Sequence, residues 1–562
     1  MLTDNAIEIL KERYLLRNAE GKIIESPEEL FRRVSRHIAS AEKKDRSLWE
    51  ARFYNLLAGL EFLPNSPTLM NAGNPKGQLS ACFVLPVDDS LESIFTSLKD
   101  AALIHQSGGG TGYNFSKLRP KGDWVTTSSG KASGPVAFMK VYDAATEHVK
   151  QGGKRRGANM GILNADHPDI LDFITSKADD LSLQNFNISV GISNEFMKAV
   201  EEQLPWSLIN PRDGSIAKKV EATEVWNAIT EEAWKTGDPG LIFLSTINEQ
   251  NPTPNLGTIE STNPCGEVPL LPYESCNLGS LNLVKMISSQ NDNIRLDWTK
   301  LGDTVTMAVR FLDNVIDANH YILSQIKKMT TTNRKIGLGV MGWAELLMLL
   351  EIPYASKKAI SLGERLMKFI KEKSYEASTA LSKERGSFSS GQKRRNATCN
   401  SIAPTGTISV IANTSYSIEP LFALAYQRVG ILGGKVQNEF NRVFVQKMKE
   451  LKLWNKEIEN EVRKTGSIQH IKTIPNDMKE LFKTSLEIPW EYHLKHQLAF
   501  QKYTDNAVSK TINLPTSATI DEVSTIFWTA WKYKLKGITV YRYGSKSKQV
   551  LQKCNLNNTT DC

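Results

Sequence analysis

The stretch Ser261–Gly279, STNPCGEVPLLPYESCNLG, concentrates the groups most able to do chemistry. Cys265 stands two residues before a carboxylate, Glu267, and two after an amide, Asn263; a second cysteine, Cys276, follows eleven positions on. The combination offers thiol chemistry beside a proton-accepting group. Pro264, Gly266, Pro269 and Pro272 interrupt any regular helix or strand. The segment therefore reads as a loop held in one shape, with its reactive groups at the tip. Such a loop needs a rigid scaffold to position it.

Other segments could supply partners. LPNSPTLMNAG, Leu63–Gly73, reads as a structured loop in which Ser66 and Thr68 either close turns or donate to a ligand, the turn being favoured. LSACFVLPV, Leu79–Val87, reads as a buried strand with Cys82 as an inert core thiol. Asp88–Asp123 reads as a helix, N-capped by Ser90, that runs into a glycine-rich turn. Gly108, Gly109, Gly110 and Gly112 there allow a close backbone approach. Lys154, Arg155 and Arg156, set among glycines, suit a small anionic ligand better than a nucleic acid, because the basic run is short. Pro404, Thr405, Gly406, Thr407 and Ser409 form a small-residue turn that suits either a phosphate or an ordinary cap. Cys399 reads as buried, and His493 and His496 as helix-surface residues outside any HExxH metal pattern.

The scaffold follows from composition and periodicity. The 562 residues are 40% hydrophobic and 23% charged, ordinary values for a soluble globular chain. Subtracting 61 acidic from 69 basic residues leaves +8, a mildly basic surface. The N-terminal MLTDNAIEILKERY lacks the apolar core of a signal peptide, and no apolar run approaches the ~20 residues of a membrane span. Six cysteines with no CxxC pair argue against a disulfide framework or structural zinc, so no metal is expected and the expected compartment is reducing cytoplasm. Glu28–Leu60 reads as helical and Leu296–Tyr321 as one long helix, while Asp166–Glu202 and Ala222–Trp234 read as helices separated by short strands. Gly337, Gly339 and Gly342 match GxGxxG. The polar Thr330–Lys335 before them and the absence of a downstream acidic partner favour a strand packed into a helix over a dinucleotide site. Periodicity alone gives an α/β class: a helical region over 1–60, one large domain over 61–545 and a polar tail over 546–562 that holds Cys554 and Cys562.

Taken together, NPCGE, SCNLGSLNL, GGGTGYNFSKLRPKGD, GGKRRGANMG, IAPTGTIS and DNAVSKTINLP, in this order along nearly the whole chain, resemble ribonucleotide reductase. NPCGE and the ending GITVYRYGS are similar to the adenosylcobalamin-dependent class II enzymes. The resemblance implies a ten-stranded α/β barrel, two antiparallel five-stranded parallel halves around a central finger loop. It implies Cys265 as a thiyl radical that takes the 3′-hydrogen of a ribonucleotide, Glu267 as base at the 3′-hydroxyl and Asn263 as an orienting group. It makes Cys82 and Cys276 the reducing dithiol, which reverses the reading of Cys82 as inert. Ser66, Thr68, Ala81 and the turn Pro404, Thr405, Gly406, Thr407 and Ser409 would hold the substrate.

The resemblance also implies regulation and partners. Asp89, Ser90 and Arg119 would bind a deoxynucleotide or ATP effector at a homodimer interface, and the loop Gly152–Asn159, with Lys154 and Arg156, would relay it. With no N-terminal nucleotide-binding cone, no on/off control by ATP and dATP is expected. Cys554 and Cys562 would carry electrons from thioredoxin or glutaredoxin, although relatives often space such a pair by two residues and here seven intervene. Neither a nucleic acid nor a membrane is an expected partner. The nearest rival is a class I catalytic subunit fed by a separate radical-generating subunit. Tyr541 and Tyr543, split by Arg542, argue against it, because that system needs adjacent tyrosines.

Overall fold

The computed structural model describes residues 2–125, 129–151, 155–290, 293–389, 392–428 and 437–546. Its centre is a sheet that curls into a barrel. A short strand, β1 (Phe62–Pro64), leads in from the N-terminal helices. β2 (Cys82–Val84), β3 (Gly110–Asn114), β4 (Asn159–Asn164), β5 (Phe186–Ile192) and β6 (Gly240–Phe243) then run parallel as one half. In the second half, β7 (Ser275–Asn282) pairs in parallel with β8 (Ile336–Met341), and β9 (Thr511–Leu514) with β10 (Gly537–Arg542). Between these pairs an extended segment, 400–402, bridges in parallel to Leu338 on one side and Val508 on the other.

The halves meet antiparallel at both seams, β7 on β2 and β10 on β6, and β1 lies antiparallel beside β7. This is the ten-stranded arrangement that the resemblance implied. Helices cover the outside, and strands such as β4, β5 and β6 are buried along nearly their whole length.

Two glycine patterns are explained by close contacts. A Cβ on Gly112 would lie 1.7 Å from the carbonyl oxygen of Thr262, so only glycine lets the finger cross β3 there. The run at Gly108–Gly112 is therefore partly strand rather than a simple turn. On β8, a Cβ on Gly339 would lie 2.3 Å from the Ser401 carbonyl oxygen. The GxGxxG glycines thus belong to a packed strand and the turn into the helix Trp343–Leu349, as read from the sequence.

The N-terminal region folds as helices. Ser26 closes a capping box with Glu29 at the start of Pro27–Ala39, and Arg46–Ala58 packs against that helix. Glu42, after the first of them, takes hydrogen bonds from Arg310, Asn314 and Arg385 on the barrel helices. Burial alone would raise its carboxyl, but these donors hold it down at about 2.

As read from the sequence, the span Asp166–Glu202 contains a strand, β5, between two short helices, Ile170–Ile174 and Asn194–Glu201. Two sequence expectations are corrected. Leu63–Gly73 is not a loop, because Ser66–Asn71 forms a short helix after β1. His493 and His496 do not lie on a helix surface; both are fully buried. Lys510 donates to His493 Nδ1 at 3.2 Å and Trp343 donates to His496 Nδ1 at 3.3 Å. Each ring is therefore a neutral tautomer whose Nε2–H donates to a carbonyl, of Ser485 and Tyr354 respectively.

Candidate active site

The expected loop is a hairpin inside the barrel. Ser261–Thr262 pairs antiparallel with Pro269–Leu270, and residues 263–268 form the tip. The Val268 amide donates to Asn263 Oδ1 at 3.0 Å and the Gly266 amide to the Asn263 carbonyl at 3.0 Å. Gly266 has φ +79°, a conformation that glycine adopts without strain. Both barrel halves pin the tip. Asn187 donates to the Pro264 carbonyl at 2.8 Å, while Ser401 Oγ and the Ala507 amide donate to the Glu267 carbonyl at 2.8 and 2.9 Å. As a result Asn263 and Glu267 are buried while Cys265 between them is exposed.

Cys265 borders two cavities. One, of about 330 Å³, is lined by Asn263, Cys265, Glu267, Cys82, Ser66, Ala81, Pro404, Thr405, Gly406 and Thr407. Segments distant in sequence are thus brought to a single site. Cys276 is not among the lining residues, and two residues expected to hold the substrate do not line it either. Thr68 is buried and donates to the Leu79 carbonyl, and Ser409 donates to the Thr405 carbonyl. For both, the turn-closing reading describes the hydroxyl. Ser280, also on the wall, has a buried hydroxyl with no hydrogen-bond partner among the described residues.

Cys276 is on a strand, not in the loop. β7 sets it directly opposite Cys82 of β2. Opposed positions of this kind hold Cβ atoms about 4.5–5.5 Å apart, so modest adjustment would bring the sulfurs into bonding range. Both are present as thiols. On the other edge of β7 the register puts Lys335 beside Cys276, one step before the pair Asn277–Ile336. Cys82, Cys276 and Lys335 therefore form a row across three strands on one sheet face. Lys335 Nζ bonds Glu274 Oε2 at 2.6 Å, and Glu274 also accepts from the Leu271 amide and from Asn333. Burial pushes the Cys276 thiol far above its ordinary value, and Lys335 offsets only part of that.

The second cavity, about 520 Å³, opens on the other side of Cys265 and Gly266. Its walls mix apolar side chains such as Met160, Ile242, Phe422 and Ile538 with Asn187, Ser189, Gln497 and Lys510. Gln497 Nε2 donates to the Gly537 carbonyl, while its buried Oε1 has no partner among the described residues. Sequence reasoning did not find this cavity, because its residues come from five barrel strands and from several separate motifs that only the fold brings together.

The expected effector residues lie elsewhere. Arg119 Nε bonds Asp89 Oδ2 at 2.7 Å, and Ser90 caps the helix Leu91–Gln106. Lys154, Cys554 and Cys562 lie outside the described residues; Arg156 is described only as backbone strand. Among the described residues, no cluster of three or more His, Cys, Asp or Glu is placed to hold a metal ion.

Comparison with known proteins agrees with the fold. Residues 1–77 match the ribonucleotide reductase all-alpha domain, and residues 80–395 and 390–541 match the ribonucleotide reductase barrel domain. A protein of Thermoplasma acidophilum named vitamin B12-dependent ribonucleoside-diphosphate reductase is 47% identical, over 98% of this chain and 80% of its own length. A protein of the same name from Mycobacterium tuberculosis is 48% identical over 97% of this chain and 80% of its own. The solved class Id ribonucleotide reductase alpha subunit of Actinobacillus ureae shares the fold at TM-score 0.81 and 24% identity, covering 97% of each chain. The chain belongs to the ribonucleotide reductase family.

Proposed function

We infer that this chain reduces ribonucleoside diphosphates to 2′-deoxyribonucleotides by a thiyl-radical route that depends on adenosylcobalamin. The observation that carries the reading is the finger tip. It exposes one thiol, Cys265, between a cavity holding Glu267, Asn263 and Cys82 and a second cavity on its other side.

In this reading the Cys265 sulfur, as a thiyl radical, takes the 3′-hydrogen atom and becomes a thiol. Glu267 accepts the 3′-hydroxyl proton, and Asn263, its carbonyl oxygen fixed by the Val268 amide, turns its amide nitrogen toward the sugar hydroxyls. The 2′-hydroxyl leaves as water. Cys82 and Cys276 supply two electrons and two protons and end as a disulfide, and the 3′-hydrogen returns from Cys265. Ribonucleotide plus dithiol thus gives deoxyribonucleotide, disulfide and water. The high thiol value at Cys276 suits a group that must keep its proton until that step.

The larger cavity fits a corrinoid in its chemistry. Apolar walls suit a broad macrocycle, and Asn187, Ser189, Gln497 and Lys510 offer partners to its amide fringe; the unpaired Gln497 Oε1 awaits a donor. When bound, adenosylcobalamin supplies the hydrogen-atom acceptor that converts the Cys265 thiol to a thiyl radical.

The remaining expectations are part of the proposal. Leu91, Phe95 and Leu103 on Leu91–Gln106 and Val141 on Pro135–His148 are exposed apolar groups on two packed helices, which supports a homodimer. Asp89, Ser90 and Arg119, beside that surface, suit a deoxynucleotide or ATP effector. Cys554 and Cys562 would pass electrons from thioredoxin or glutaredoxin. No helix among the described residues is long and apolar enough to cross a membrane. The thiol chemistry suits a reducing, cytoplasmic setting.

The test is purified chain with cytidine diphosphate and dithiothreitol, with and without adenosylcobalamin, reading deoxynucleotide by chromatography. Product should appear only with the coenzyme; turnover that ignores it would overturn the corrinoid reading and favour a separate radical-generating subunit.

A further inference from the structure

The cavity that holds Glu267 is also lined by a segment of the N-terminal helical region in which the sequence shows no nucleotide site. Arg13 and Tyr14 line it. Both lie in a π-helical turn, Leu10–Tyr14, that continues the helix Asp4–Ile9. A π-turn fits an extra residue into the winding and shifts where the side chains point, and such turns recur at functional sites. Here Tyr14 is buried and shares a 2.7 Å hydrogen bond with Ser66 Oγ. The turn packs on Ser66–Asn71, and the helix before it packs on Ile408–Ile411, which follows the Pro404–Thr407 turn. Arg13 therefore enters the cavity where Ser66 and that turn converge.

Charge sets Arg13 apart. Among the described residues on this wall it is the one basic side chain, and Glu267 the one acidic. Neighbouring arginines are engaged: Arg17 donates to the Gly21 and Lys11 carbonyls, and Arg33 pairs with Glu25. Arg13 is half-buried and has no hydrogen bond or ion pair among the described residues. The hydroxyls nearby are uncharged, and several already have a partner. Thr405 Oγ1 accepts from the Ser417 amide, Ser409 donates to the Thr405 carbonyl and Ser66 is shared with Tyr14. A terminal phosphate carries roughly two negative charges at neutral pH and calls for a charged donor. A guanidinium offers two parallel N–H groups to such a group.

We propose that Arg13 is a specificity-determining residue that grips the terminal phosphate of the substrate, so that the N-terminal helices select a nucleoside diphosphate over a monophosphate or a free nucleoside. The inference rests on the reading of this cavity as the ribonucleotide site.

The test uses the full chain and the variants Arg13→Gln and Arg13→Lys. Binding of cytidine diphosphate, cytidine monophosphate and cytidine is measured by calorimetry without coenzyme, then KM and kcat with adenosylcobalamin and dithiothreitol. Arg13→Gln should weaken diphosphate binding and raise its KM about 10–100-fold, the loss expected when hydrogen bonds to a charged group are removed. kcat should fall far less, monophosphate and cytidine should bind as before, and Arg13→Lys should recover part of the loss. An unchanged ratio of diphosphate to monophosphate affinity would overturn the proposal. So would an equal loss for all three ligands with a lowered melting temperature, which would assign Arg13 to the fold. If wild-type chain reduces cytidine diphosphate while that ratio stays put, only this inference fails; if wild-type binds no cytidine nucleotide, the functional reading fails with it.

Discussion

Cys265 and Cys276 lie eleven residues apart, yet the barrel gives them opposite surroundings. Cys265 sits exposed at a hairpin tip whose backbone is tied down on both sides. Cys276 is fully buried in β7, between Cys82 on one strand and Lys335 on the next. One thiol is held still in open space, where ligands in two cavities can reach it. The other is sealed with a partner sulfur, and its proton is hard to remove. The lesson is that thiol chemistry here is set by backbone pinning and burial more than by residue type.

The sharpest way to break that contrast is Cys265→Ser. Turnover of cytidine diphosphate should vanish while calorimetric nucleotide binding stays near wild type; a variant that still turns over would remove the radical role. Next in size is Glu267→Gln, which keeps shape and burial but not the base. kcat should drop about 10²–10⁴-fold, the range for a positioned acid–base group, with KM little changed; a normal kcat would show that the carboxylate only shapes the tip.

On the strand side, Lys335→Met leaves Glu274 buried without its cation. Unfolding in denaturant should show a loss of about 3–5 kcal/mol, as for other broken buried pairs. A change under about 1 kcal/mol would mean that Asn333 and the Leu271 amide suffice for Glu274.

The smallest effect is a labelling pattern. Iodoacetamide at neutral pH, mapped by mass spectrometry, should mark Cys265 first and leave Cys276 and Cys399 unmodified. Burial raises both buried thiols, Cys399 to about 12, so thiolate at either should grow only as the pH climbs well into the alkaline range. Equal labelling of all three at neutral pH would contradict the contrast.

Much of this was legible in the chain. The prolines and Gly266 marked a fixed loop, and the motif order identified the family and its barrel. Local patterns also gave the helix capped by Ser90 and the glycine-rich β8. Some of the readings that failed depended on what lies across a gap in sequence. The pattern around His493 and His496 cannot show that Lys510 and Trp343 will cover them. Thr68 and Ser409 have the right side chains for a phosphate, yet each hydroxyl donates to a backbone carbonyl, of Leu79 and Thr405 respectively. Arg13 resembles any arginine on a charged helix until the π-turn and the packing on Ser66–Asn71 are known.

By itself, then, the sequence determined the reactive residue types, the loop that carries Cys265 and the alternation of strands and helices, because these follow from local sterics and periodicity. Only the tertiary structure decided that Cys82 faces Cys276, that Cys265 borders two cavities and that an N-terminal arginine lines the same cavity as Glu267. Closing a barrel makes neighbours of strands hundreds of residues apart, and no local preference encodes which side chains then meet.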